Sequence, residues 1–84
     1  MNGQKEVGMV NGWRYVILQR ERKGFYWVYR RSLSQDDHGE REEVVDYCPT
    51  EKKALEAARR HMTRVSKAVA TYRGEPAPIT YTNK

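Results

Sequence analysis

Apolar positions along the chain follow two different periods. From Trp13 to Glu21 (WRYVILQRE) and from Phe25 to Ser32 (FYWVYRRS), aromatic and β-branched residues crowd into short runs of the kind that form strands. Between Thr50 and Tyr72 the spacing becomes helical. At about 100° per residue, Leu55, Ala58, Met62, Val65 and Val69 fall on one side of a cylinder, and Lys52, Lys53, Arg59, Arg60, Arg64 and Lys67 gather on the other. Such a helix buries one stripe and shows water, or a partner, six cations.

Local chemistry sets the element ends. The two strand runs flank Arg22-Lys23-Gly24, and a three-residue connection ending in glycine suits a type I turn closed by a left-handed residue. This predicts a β-hairpin. Leu33 to Glu40 (LSQDDHGE) offers no core face and reads as a loop, and a third strand is expected within Arg41–Cys48, centred on Glu43 to Tyr47. Pro49 ends that strand, Thr50 offers its hydroxyl as N-cap and Glu51 suits the first helical turn. Gly74, then Pro76 and Pro78, stop the helix. The expected fold is α+β: a three-stranded antiparallel sheet packed against one long amphipathic helix, with Ile79 to Thr82 as a short fourth strand or a tail. Residues 1–11 read as a flexible leader, 12–73 as a single ββ-loop-βα domain, and 74–84 as the tail or short strand.

Pairing Glu21 with Phe25 sets a hairpin register in which partner numbers sum to 46, and a four-residue loop in its place would shift the register by one. One sheet face then carries Trp13, Tyr15, Ile17, Phe25, Trp27 and Tyr29, and the other Arg14, Val16, Leu18, Arg20, Tyr26, Val28 and Arg30. The first has the larger apolar content and is expected to meet Leu55, Met62, Val65 and Val69. The second faces out, with arginines around an aliphatic and aromatic centre. A charge-rimmed apolar patch of this kind marks an interface.

Composition narrows the class. Eighty-four residues make one small domain that buries little more than ~60% of its unfolded surface. The single cysteine, Cys48, excludes an intramolecular disulfide and reads as a small buried hydrophobe in a reducing compartment. No apolar run reaches the ~20 residues of a membrane span, and residues 1–11 lack the apolar core of a secretory signal, so a cytoplasmic location is expected. The net charge of +5 is segregated: residues 1–35 carry +5, residues 36–51 carry −6 and residues 52–84 carry +6. A polyanion that meets the positive surfaces fits this distribution, and so does a protein with a complementary pattern.

No residue set forms a catalytic signature, and no cofactor is implied. Asp36, Asp37, His38 and Glu40 are carboxylates and an imidazole, but neighbouring loop residues rarely converge on one ion, so no metal is assigned. His61, at the edge of the apolar stripe, is expected to cap or pack, and Cys48 has no base placed beside it. The run WRYVILQRERKGFYWVYRR, an extended segment, and then PTEKKALEAARRH resembles the three-stranded-sheet-plus-helix DNA-binding domains of phage integrase arm-binding modules and plant AP2-type factors. In those families the sheet reads DNA, which by position implies Arg14, Arg20, Tyr26 and Arg30 here. The acidic REEVVD strand departs from that pattern.

Two function classes stay open. One is nucleic-acid binding, by those sheet residues or by Lys52, Arg59, Arg60, Arg64 and Lys67 on the helix, which lie on opposite sides of the two layers. The other is a protein-binding adaptor, or a phage-type inhibitor of a larger host assembly, using an outer sheet face that includes Val16, Leu18 and Val28. The same face is compatible with a homodimer.

Overall fold

The computed structural model describes residues 3–19, 25–32 and 41–82. In chain order the elements are β1 (Gly3–Val10), β2 (Trp13–Gln19), β3 (Tyr26–Ser32), β4 (Glu42–Cys48), α1 (Glu51–Arg73) and β5 (Ile79–Tyr81). The fold is α+β, with one helix on one face of an antiparallel sheet. The sheet has five strands, ordered β4-β3-β2-β1-β5, where three or four were expected. The added strand is the supposed leader. Its signal is Val10-Asn11-Gly12-Trp13: Asn11 at φ 51° and Gly12 at φ 79° form the two-residue turn whose twist matches paired strands. β5 pairs with β1, so α1 carries the chain from one sheet edge to the other.

The helix ends where its chemistry dictates. Thr50 Oγ1 accepts a 3.1 Å bond from the Lys53 amide, and Gly74 at φ 90° donates its own amide to the Ala70 carbonyl. The chain after the helix is tied back to it, because Ser66 Oγ donates a 2.6 Å bond to the Ala77 carbonyl. Ala58, Met62 and Val69 are buried as the periodicity requires, with Leu55 and Val65 packed at the margin. Ala54, Ala57 and Ser66 join the buried stripe; their small side chains let α1 lie close on the sheet.

The β2–β3 register corrects one expectation. Trp13 pairs with Ser32 and Gln19 with Tyr26, so partner numbers sum to 45 rather than 46. Residues 20–24, including Arg20, lie outside the described residues, as do residues 33–40 with Asp36, Asp37, His38 and Glu40. A slip of one position turns every β3 side chain over while leaving β2 in place. Trp13, Tyr15 and Ile17 therefore face the helix as expected, but the β3 side chains that share this face are Tyr26, Val28 and Arg30. Trp27 and Tyr29 point to the open face. Two bulges, between Glu6 and Gly8 and between Val44 and Asp46, each give the core an extra valine, Val7 and Val45.

Candidate functional site

The helix side of the sheet holds a polar chain that ends at the helix. Arg30 donates through Nε to Glu43 Oε1 at 2.9 Å, and its guanidinium lies 4.0 Å over the Trp13 ring. Its Nη1 donates to the Tyr15 hydroxyl at 3.4 Å, and that hydroxyl sits 2.7 Å from His61 Nδ1. Arginine has only donors, so the phenolic oxygen accepts from Arg30, and the hydroxyl makes its second hydrogen bond with the imidazole nitrogen. Burial lowers the His61 pKa, helped by the Arg30 and Arg64 charges, and burial raises that of Tyr15. For Arg30, burial acts downward, but the bonds to Glu43 and Tyr15 outweigh it and hold the group charged. These are packing roles, as expected for His61. Cys48 is buried and free, its thiol pushed up by burial and by Asp46, which makes it a poor nucleophile.

Several expected binding residues consequently leave the surface set. Arg30 is engaged on the inner side, Tyr26 packs against the core, and Val28 is fully buried beneath the helix. The register slip accounts for all three. Arg14, Val16 and Leu18 do lie on the open face. Arg14 Nε is 3.6 Å from Glu6 Oε2, an ion pair too long for a hydrogen bond, and Arg31 Nη2 donates to Glu42 at 2.9 Å. Every arginine in the described strands thus has a carboxylate beside it. The acidic segment that argued against DNA binding is the cross-strand complement of the Arg30-Arg31 pair.

The exposed side of α1 is different. Lys52, Arg59, Arg60, Arg64 and Lys67 are all exposed, and among the described residues none of them, nor Lys53, forms an ion pair. Glu56 lies among them but pairs with none. The cations fan over about 140° of arc and span ~22 Å from Lys52 to Lys67 at the helical rise. Arg60, Thr63, Arg64 and Lys67 line a shallow recess of about 430 Å³. Arg59 leans over the Tyr81 ring of β5 at 5.6 Å, which orients its charge without neutralising it.

The open sheet face forms three cross-strand rows. Leu18, Trp27 and Tyr47 make the first; Glu6, Val16, Tyr29 and Val44 the second; Arg14, Arg31 and Glu42 the third. Phe25 stacks on Tyr47 with ring centroids 5.3 Å apart, and Tyr47 leans on Trp27 at 4.3 Å. Phe25, Val44 and Tyr47 keep 46%, 53% and 47% of their surface exposed. The sequence reading missed this cluster because its odd-numbered β3 rings were assigned to the core. Lengthening the expected turn from three residues to four shifts the register by one and puts these rings on the open face.

No protein-family model matches the chain, and no curated protein or solved structure was found similar to it. Among the described residues no three potential metal ligands cluster, and no helix is long and apolar enough to cross a membrane.

Proposed function

We propose that the chain is a small non-catalytic module that binds nucleic acid through the exposed face of α1. One observation carries the reading: the strand arginines are matched by carboxylates, while the helix cations have no ion-pair partner among the described residues. Lys52, Arg59, Arg60, Arg64 and Lys67 are the phosphate contacts. Their ~22 Å spread exceeds the ~12 Å width of a major groove, so one duplex can present phosphates to both ends of the row. The sheet residues Arg14 and Arg30 take no part. The groups that could react, Cys48, His61 and Tyr15, serve packing instead.

Titrating a labelled DNA duplex by fluorescence anisotropy tests this. Five phosphate contacts give a log–log salt slope of about −4.5, hence a loss of roughly 500-fold between ~50 and ~200 mM salt. Arg60→Ala with Arg64→Ala is expected to flatten the slope to about −2.7, whereas Arg14→Ala leaves it unchanged. Absence of binding at low salt, or an unaltered slope in the double variant, refutes the reading.

A second reading, a protein partner on the open sheet face, is favoured by the uncovered rings of Phe25, Trp27 and Tyr47. Val28 leaves that set, while Val16 and Leu18 remain in it.

A further inference from the structure

We propose that the open sheet face is a self-association surface, and that its occupant is a second copy of this chain packed face to face across a two-fold axis. The inference narrows the protein-partner reading to one occupant and is independent of nucleic-acid binding at the helix. Three observations converge on it.

The first is apolar content. Trp27, Tyr47, Phe25 and Val44 form a contiguous patch on a face that no element among the described residues covers, and Val16, only 8% exposed, forms a floor beneath it outside the helix-side core. Contiguous rings left open to water on so small a domain belong to an interface.

The second is charge. Among the described residues this face carries Arg14 and Arg31 against Glu6 and Glu42, two charges of each sign. These sum to zero, in contrast to the cations of the helix face. A two-fold axis that passes between the cations and the carboxylates sets each sign opposite its counterpart on the other copy, so a balanced face of this kind can pair with itself.

The third is area. Four strands about 4.8 Å apart and about seven residues long cover roughly 20 by 24 Å in plan. That is roughly 480 Å² per copy, below the ~800 Å² that each partner gives to a standard interface, so the association is of the weak class that shows itself only at high concentration. Pairing two sheets in this way yields a sandwich with α1 outermost on both sides, so the dimer presents two cationic helices at opposite poles.

Sedimentation equilibrium of the full chain, from low-micromolar to near-millimolar concentration, provides the test. The expected result is a mass that rises from 9.9 kDa to twice that value. Val44→Lys and Tyr47→Lys alter side chains that are about half exposed, so each variant is expected to keep the parental circular dichroism while its dissociation constant rises at least tenfold. Tyr72→Lys, on the exposed end of α1, is the control and is expected to dimerise like the parent. A chain that stays at 9.9 kDa throughout overturns the proposal. So does a dimer that persists in both lysine variants, or one that single-stranded oligonucleotide dissolves by competing for the rings. Arg60→Ala with Arg64→Ala is expected to leave the mass unchanged, which separates failure here from failure of the helix reading.

Discussion

Replacing Tyr15 by Phe removes one oxygen from the middle of the polar chain and leaves the ring, which is fully buried, in place. That oxygen has two partners of unequal weight. His61 Nδ1 at 2.7 Å loses its hydrogen-bond partner in a half-buried position, while Arg30, at 3.4 Å, retains Glu43 and its seat over Trp13. The larger part of the cost is thus the imidazole nitrogen left without a partner, about 1–2 kcal/mol. Part of this is offset because phenylalanine has no hydroxyl to desolvate. A net loss of about 1–1.5 kcal/mol lowers the melting temperature of a domain this size by roughly 4–12 °C, measurable by circular dichroism or tryptophan fluorescence. His61→Leu supplies the second edge of a double-mutant cycle, and the coupling between the two substitutions is expected to be about 1 kcal/mol. Strict additivity, or a Tyr15→Phe variant that melts with the parent, refutes the polar chain as a stabilising unit.

Three further outcomes follow from the same packing. The His61 pKa is lowered in the folded chain from its ordinary 6.5, so the unfolded chain binds the proton more readily. The stability this contributes is present above the unfolded value and is lost as pH falls from 6.5 through the folded value; urea midpoints are expected to decline there, and to decline less in His61→Gln. Gly8→Ala places a Cβ against the Thr80 carbonyl of β5, so β5 is expected to detach at a cost of about 1–3 kcal/mol. Hydrogen exchange at the Thr82 amide, which bonds to the Val7 carbonyl, is expected to accelerate, and unchanged protection refutes the close approach. Met62→Ala empties a fully buried site and is expected to cost about 2–5 kcal/mol, whereas Leu55→Ala, at the margin of the stripe, costs clearly less; equal losses in urea melts contradict the placement of the core.

The helix was legible before any coordinates because its information is local. Thr50 and Gly74 cap it through their own side chain and backbone freedom, and a 3.6-residue period fixes which face is dry. The positions of β2, β3 and β4, the buried Cys48 and the packed His61 followed from the same short-range chemistry. The Asn11-Gly12 turn was equally local and marked β1, although the polar composition of residues 1–11 concealed it. Tertiary structure decided what depends on pairing between distant residues. One position of register set whether Trp27 and Tyr29 or Val28 and Arg30 met the helix, because side chains alternate faces with a period of two. Charge behaved likewise: the sequence counts Arg30, Arg31, Glu42 and Glu43 separately, but only the β3–β4 ladder brings them together, and among the described residues it leaves the α1 cations without an ion pair.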